Sequence, residues 1–162
     1  MGKQRIAEGS RAEFDALRQR LEKARDALRH NQQFLQSGAR AYYVVYAVAS
    51  FAAGRHGVRA THIRGGRRVT DQDFSHNEIA DVVYALYTGG RRGNISEPGG
   101  SPGIGSGNFT YQQAYRNADI LHQMRLEADY GPTRVPEPYA VAQVDEWLVM
   151  ANDLTQDLES LL

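Results

Sequence analysis

A single helix-like segment of this sequence gathers side chains that could do acid–base or phosphate chemistry. Residues 115–132 read YRNADILHQMRLEADYGP and include Arg116, His122, Arg125 and Asp129. An imidazole can accept or donate a proton near neutral pH. A guanidinium can hold a phosphate through two parallel hydrogen bonds. The segment therefore predicts a polar site that handles protons or phosphate groups.

Helical geometry places one of these charges among apolar residues. At about 100° per residue, an apolar stripe roughly 80° wide runs along the segment through Ala114, Ala118, Leu121 and Ala128. Arg125 falls inside this stripe, and His122 and Asp129 lie on its edge. An arginine there is unfavourable without a partner, and Asp129, one turn later, can supply the carboxylate. Two interpretations stay open: a structural ion pair with Tyr130 packed beside it, or a polar site walled by these side chains.

Two more candidate groups lie on other predicted helices. Arg40 falls on the same stripe as Tyr43 and Phe51 in a helix that is otherwise apolar on all sides. His76 follows Ser75 at the start of another helix. A helix N-terminus offers free N–H groups and arginine offers a rigid fork, so a phosphate or nucleotide would suit a site formed where these groups converge.

Several helices must position these groups. Helical periodicity covers about residues 11–36, 39–53, 75–86, 109–128 and 140–162. A break at Ser37 and Gly38 separates the first two, and Ser75 with Glu78 forms a capping-box pattern at the third. No alternating strand pattern is visible. The sequence therefore predicts an all-α fold, a bundle of about five helices in a single domain of residues 1–162.

Two long connections are predicted as loops. Residues 54–74 show no clear period. Residues 55–68 within them carry five arginines and no acidic residue, namely Arg55, Arg59, Arg64, Arg67 and Arg68. This is either a basic patch for RNA phosphates or a solvated loop. Residues 88–107 hold half of the 16 glycines, which predicts a mobile loop.

Composition limits the classes of function. The chain has 162 residues, 19 basic and 19 acidic side chains, and no cysteine, which excludes disulfides, zinc–thiolate sites and thiol catalysis. His56 and His62 lack a carboxylate at ligand spacing, so neither a metal nor a cofactor is expected. The longest apolar run has 13 residues, short of the roughly 20 that span a bilayer. A cytoplasmic protein without a membrane partner is predicted.

The order of the motifs resembles the HEPN family, the "higher eukaryote and prokaryote nucleotide-binding" helical domains. The likeness covers about residues 24–162 and rests on Ala39-Arg40-Ala41-Tyr42-Tyr43, on Ser75-His76, and on Arg125-Leu126-Glu127-Ala128-Asp129-Tyr130. The resemblance implies an up-and-down helical bundle, a homodimer, and a metal-independent endoribonuclease of toxin–antitoxin or defence type. It also implies an antitoxin partner such as a minimal nucleotidyltransferase. The alternative is a non-catalytic HEPN module that binds a nucleotide or a protein partner.

The resemblance also implies roles for individual residues. Arg116 and His122 match the family's Arg-to-His element, so His122 is expected to act as general acid or base and Arg116 to stabilise the phosphorane. The substrate or its phosphate would contact a second set of residues, Arg40, His76, Arg125, Asp129 and Tyr130. The competing assignment makes Arg125 and Tyr130 the equivalent pair.

The helical positions of Arg116 and His122 raise the question of how they would meet. Six steps of about 100° place them roughly 120° apart on a straight helix, so a local distortion or a second protomer is expected to complete the site. The surplus of apolar helix faces predicts the same homodimer, with the Gly-rich loop as a flap beside a shared cleft.

Overall fold

The computed structural model describes residues 5–30, 33–96, 103–130 and 137–162. These residues fold into five helices and three strands, in the order α1 (Arg11–His30), α2 (Phe34–Arg55), β1 (Arg59–Arg64), β2 (Arg67–Asp71), α3 (Ile79–Thr88), β3 (Ile95–Ser96), α4 (Tyr111–Tyr130) and α5 (Glu137–Glu159). Short 3₁₀ turns at Ile6–Glu8 and His76–Glu78 precede α1 and α3. The expectation of a mainly helical protein is confirmed, whereas the expectation of an all-α fold is wrong.

Helix α2 forms the centre of the bundle, as its apolar composition predicts. It packs against α1, α4 and α5, and less extensively against α3. The ring of Phe51 in α2 stacks on Phe14 of α1, with 4.3 Å between ring centroids. Most residues of α2 are buried within this one chain. The apolar surplus that argued for a homodimer is therefore taken up inside the protomer, and the homodimer itself stays a prediction.

Ser37 and Gly38 do not break the helix, in contrast to the prediction. Both are buried inside α2. The Ser37 hydroxyl donates a hydrogen bond to the carbonyl of Arg25 in α1, at 3.0 Å. Gly38 faces Trp147 of α5, where an added Cβ would stand 3.5 Å from the indole ring. These small residues let neighbouring helices pack closely against α2. Helix α1 ends at His30, whereas the sequence predicted that it extends to residue 36.

Residues 54–74 contain a β-hairpin in place of the predicted loop. Strands β1 and β2 pair from Ala60 opposite Asp71 to Arg64 opposite Arg67, and β3 pairs with the other edge of β1. The two residues between β1 and β2, Gly65 and Gly66, both have positive φ, at 56° and 76°. Such backbone angles favour glycine and match the two-residue hairpin turns that follow the strand twist.

Helix α3 begins differently from the predicted capping box. The Ser75 hydroxyl donates to the Glu78 carboxylate at 2.9 Å, and neither side chain caps a backbone N–H group at this end. The chain enters α3 through the 3₁₀ turn that contains His76. His76 therefore precedes the α-helix by one turn and faces the bundle from outside it.

The described end of the Gly-rich connection is anchored to the bundle. The backbone N–H groups of Ile104 and Gly105 donate to carbonyls at the end of α3, each at 3.0 Å. Asp157 of α5 accepts hydrogen bonds from the backbone N–H groups of Asn108 and Phe109. These contacts tie the end of the predicted flap to α3 and α5, the flap itself stays a prediction, and residues 97–102 lie outside the described part of the chain. Among the described helices, none is long and apolar enough to cross a membrane.

Candidate functional site

Three tyrosines of α2 hold His76 and line one end of the bundle. Tyr42 is fully buried, and its hydroxyl oxygen lies 2.8 Å from Nδ1 of His76. The ring of Tyr46 stacks obliquely on the same imidazole at a centroid distance of 4.3 Å, while its hydroxyl donates to the Phe74 carbonyl at 2.5 Å. The rings of Tyr43 and His76 pack edge to face, with 5.7 Å between their centroids. His76 is therefore fixed in place by aromatic contacts on several sides.

His122 of α4 also contacts Tyr42, next to His76. Its ring centroid is 5.6 Å from that of Tyr42 and 6.3 Å from that of His76, and the two imidazoles are tilted by only 16°. Only 4% of His122 is exposed. Burial lowers its pKa below the ordinary histidine value, and the positive charge of Arg125 lowers it further, against a smaller opposing effect of Asp119. His122 is accordingly neutral at pH 7 and able to accept a proton.

Arg125 is buried near His122 and contacts three side chains. Its Nε donates to the Tyr43 hydroxyl at 2.9 Å and lies 3.1 Å from Oδ2 of Asp129. One terminal nitrogen donates to the Tyr130 hydroxyl at 3.4 Å. The guanidinium also lies over the rings of Tyr43 and Tyr130. The predicted ion pair between Arg125 and Asp129 is confirmed.

The buried phenols of this cluster remain protonated at neutral pH. Burial raises the pKa of Tyr42 and of Tyr46. Burial also raises the pKa of Tyr43, with the neighbouring Asp129 charge adding to the effect and Arg125 opposing it. Each hydroxyl can therefore act as a hydrogen-bond donor, and the Tyr43 hydroxyl donates to Asp129 at 3.2 Å. The cluster joins neutral imidazole, protonated phenol and guanidinium groups within a small volume.

The structure brings most of the predicted site residues together, with two exceptions. His76, His122, Arg125, Asp129 and Tyr130 form one connected group through Tyr42 and Tyr43. Arg40 is exposed and does not belong to the core stripe. Its long side chain turns outward, and its guanidinium lies 5.5 Å from the ring centroid of Tyr43.

Arg116 lies apart from this group. It is exposed and lines a surface depression with Tyr84, Arg92 and Tyr115, whereas His122 is buried against Tyr42. The roughly 120° between the two residues on α4 is not removed by any kink, since α4 is continuous from Tyr111 to Tyr130. The structure therefore does not join the proposed Arg116–His122 pair within one chain.

Tyr42 and Tyr46 of α2 belong to this cluster, and the sequence pattern did not assign them to a site. Nine tyrosines in a short chain suggest core packing, and the three of α2 do pack in or beside the core. A buried tyrosine still needs a partner for its hydroxyl. Three tyrosines within five residues of an otherwise apolar helix therefore indicate polar groups on a neighbouring element.

The other histidines and the basic hairpin serve separate contacts. Nε2 of His62 lies 3.2 Å from Asp71 and its Nδ1 lies 3.4 Å from Glu78, so this residue ties the hairpin to the turn that carries His76. The five arginines predicted as a basic patch are all exposed, but Arg64 pairs with both Asp71 and Asp73. In the described part of the chain, no group of three or more histidine, aspartate or glutamate side chains is arranged to hold a metal ion.

Comparisons with family models, with curated proteins and with solved structures find no significant match for this chain. The resemblance to HEPN domains therefore stays a prediction, and the function has to be argued from the geometry of the tyrosine–histidine–arginine cluster.

Proposed function

We propose that this protein is a HEPN-like RNA-acting protein, an endoribonuclease that cleaves RNA at the cluster of His76, His122 and Arg125. One observation carries the proposal: two nearly parallel imidazoles lie 6.3 Å apart, each with its centroid 5.6 Å from the ring of Tyr42, and the charge of Arg125 acts on His122. Phosphodiester transesterification needs a base, an acid and a cation for the phosphorane, and these three side chains supply that set.

The reaction proposed for this cluster uses the RNA's own ribose as nucleophile. Neutral His122 accepts the proton of the 2′-hydroxyl as its oxygen attacks the adjacent phosphorus. The bond from phosphorus to the 5′-oxygen breaks, and His76 in its protonated form donates a proton to that leaving oxygen. The products are a 2′,3′-cyclic phosphate and a free 5′-hydroxyl. Arg125 stabilises the charge of the phosphorane in place of Arg116, to which the sequence motif assigns that role.

The test is cleavage of a fluorescently labelled RNA in the presence of EDTA. Wild type is expected to cleave, while His122→Ala and His76→Ala each lower the rate by about 10²- to 10⁴-fold, the usual contribution of a general acid or base. Arg125→Lys is expected to lower the rate because a lysine cannot reproduce the planar fork. Arg116→Ala is the control, and its cleavage rate on a short substrate should equal that of wild type. Undiminished cleavage by both histidine variants would rule out this site.

A second function is favoured by the burial of the same residues. His122 is 4% exposed and Arg125 8% exposed, and Arg125 already has protein partners. A module that only binds a nucleotide or a protein partner at the rim, near Arg40 and Tyr130, would need no access to His122. Binding of RNA with the same Kd by wild type and His122→Ala, without any product after long incubation, would favour this function.

The biological role within this proposal is that of a toxin or defence protein. The observation behind it is the order of motifs that resembles HEPN domains, whose members often act with a nucleotidyltransferase antitoxin. Inducible expression of wild type is expected to stop growth, whereas His122→Ala is not. A wild-type culture that grows normally while purified protein cleaves RNA would separate the enzymatic activity from the toxin role.

A further inference from the structure

A surface depression near the start of α4 carries aromatic and basic side chains that the proposed reaction does not use. Its volume is about 320 Å³, within the usual range of small-ligand sites. The residues that matter for binding come from three elements, namely Tyr84 of α3, Arg92 of the segment before β3, and Tyr111, Tyr115, Arg116 and Asp119 of α4. It contains Arg116, which sequence reasoning placed in the catalytic pair.

Arg92 is held in this depression by contacts on several sides. The guanidinium of Arg92 lies 4.0 Å from the ring centroid of Tyr115 and 4.9 Å from that of Tyr84. Its Nε lies 3.2 Å from the Asp81 carboxylate, and its backbone bridges to Ile95 through two hydrogen bonds. Arg92 is therefore held against two perpendicular tyrosine rings and lines the depression.

The rim of the depression offers a free aromatic surface and a second cation. Tyr111 is 37% exposed and meets Tyr84 edge to face, with 5.6 Å between centroids. Arg116 follows five residues later on α4, about 140° around the helix axis, and it is exposed and lines the same depression. An exposed ring beside an exposed guanidinium can stack a nucleobase and hold its phosphate, as in proteins that bind single strands through aromatic platforms and basic grooves.

The position of the depression relative to the histidine cluster suits a single RNA strand. Tyr115 precedes His122 by seven residues, so the two lie on nearly the same side of α4, about 10 Å apart along the helix axis. A stacked strand covers that length with roughly three nucleotides, at about 3.4 Å each. A nucleotide bound in the depression could therefore belong to the strand whose phosphate reaches the histidines.

We infer that Tyr111 and Arg116, backed by Arg92, form a subsite that binds a nucleotide of single-stranded RNA a few positions from the cleaved phosphate. This inference rests on the proposed function and deepens it by naming where the flanking RNA lies. Arg116 is here a binding residue that contacts substrate away from the reacting atoms. Asp119 lies on the same rim and opposes the binding of the phosphate.

The test measures the affinity of the full chain for a fluorescent eight-nucleotide RNA with 2′-O-methyl riboses, which cannot be cleaved by the proposed reaction. Tyr111→Ala and Arg116→Ala are each expected to weaken binding by about 5- to 30-fold. Arg116→Ala should also lower the slope of log Kd against log salt concentration by about one. Tyr111→Ala should leave that slope unchanged. Tyr111→Trp should restore the affinity, and Asp119→Asn should tighten it. Arg20→Ala, an exposed arginine of α1, is the matched control.

The same variants are compared on a dinucleotide that is too short to reach the depression. The control Arg20→Ala should cleave it at the wild-type rate. Tight binding of the octamer by wild type that is unchanged in both Tyr111→Ala and Arg116→Ala would overturn the subsite and leave the histidine mechanism standing. Loss of octamer binding in both variants, without cleavage of any RNA by wild type, would support the subsite and contradict the nuclease proposal. A wild type that binds no RNA would overturn both.

Discussion

The hydroxyl of Tyr42 and Nδ1 of His76 lie 2.8 Å apart, and this contact joins the buried central helix to the candidate site. Burial raises the pKa of Tyr42, so the phenol keeps its proton and can donate to Nδ1. A His76 that accepts at Nδ1 carries its own proton on Nε2 when neutral. A Tyr42 hydroxyl that donates in this contact fixes the tautomer of neutral His76, although Tyr42 lies fully inside the core.

Replacing Tyr42 by phenylalanine tests this control. Tyr42→Phe keeps the ring in the core and removes the hydrogen bond, which should lower the free energy of unfolding by about 1 kcal/mol. The nitrogen chemical shifts of His76, measured by NMR, should change toward a mixture of the two neutral tautomers. Tyr46→Phe is the control, because Tyr46 stacks on the same ring but donates its hydrogen bond to Phe74. An unchanged His76 spectrum in Tyr42→Phe would show that another group sets the tautomer.

The Arg125 contacts make a second prediction, about stability. Arg125→Ala removes a buried guanidinium and leaves Tyr43 and Asp129 without their partner, which should lower the free energy of unfolding by about 1–3 kcal/mol. The loss stays below that of a fully buried pair because Asp129 is partly exposed. Arg116→Ala should change stability by less than about 0.5 kcal/mol, as for other surface substitutions.

Urea unfolding of single and double variants measures the coupling within this pair. Arg125→Ala and Asp129→Ala are each compared with the double variant, and the coupling energy should be at least about 0.5 kcal/mol. Additive effects within error would mean that Tyr43 and Tyr130 alone hold the guanidinium.

Some of this site could be predicted from sequence because its geometry is local. Arg125 and Asp129 lie one turn apart on one helix, so their pairing follows from helical spacing alone. The contact between Tyr42 and His76 spans 34 residues and depends on where the turn before α3 meets α2. The spacing of residues in the sequence does not predict the contact between Tyr42 and His76. The tyrosines themselves indicate only that a polar partner exists.

The hairpin and the start of α2 could not be predicted for different physical reasons. Only Ala60 is buried on β1, so the strand lacks the alternating apolar pattern that reveals a half-buried sheet. The pair Gly65 and Gly66 was the remaining signal, since adjacent glycines favour a two-residue hairpin turn. Ser37 and Gly38 are ambiguous because small residues can either end a helix or let another helix approach. Trp147, more than a hundred residues away, decides between these outcomes.

The depressed pKa of His122 predicts a pH dependence of stability. Burial and the Arg125 charge keep the native imidazole neutral below pH 6.5, whereas a histidine of the unfolded chain gains a proton near that pH. The unfolded state then binds more protons, so the free energy of unfolding falls on acidification from about pH 6.5 downward. It recovers as pH rises through the same window, with a slope of at most about 1.4 kcal/mol per pH unit for this one group.

Urea unfolding at pH values from 5 to 8 checks this dependence by comparing wild type with His122→Gln. The variant should lose less stability than wild type on acidification, because glutamine does not titrate. Leu121→Ala, the loss of an adjacent buried side chain, should lower stability by a similar amount at every pH. Equal pH profiles for wild type and His122→Gln would mean that His122 does not titrate in this window.

The last prediction concerns two glycines of α2 for which substitution by alanine should have opposite effects. At Gly54 an added Cβ would lie 2.1 Å from the Ala7 carbonyl oxygen in the 3₁₀ turn Ile6–Glu8, so that turn would have to move. At Gly38 the added Cβ would make an ordinary contact with Trp147, at 3.5 Å. Alanine is the better helix former by up to about 1 kcal/mol at either position.

Gly54→Ala should therefore lower the free energy of unfolding by about 1–3 kcal/mol, as overpacking does, while Gly38→Ala should leave it unchanged or raise it by up to about 1 kcal/mol. Urea unfolding measures both variants. The 3₁₀ turn also borders a cavity of about 190 Å³ lined by Tyr46 and His76, so its displacement in Gly54→Ala should open that side of the candidate site. Faster amide hydrogen exchange at Glu8 and Gly9, whose N–H groups donate within the turn, in Gly54→Ala and not in Gly38→Ala, would locate the displacement. Equal stability of Gly54→Ala and wild type would show that the turn does not pack on α2 at this glycine.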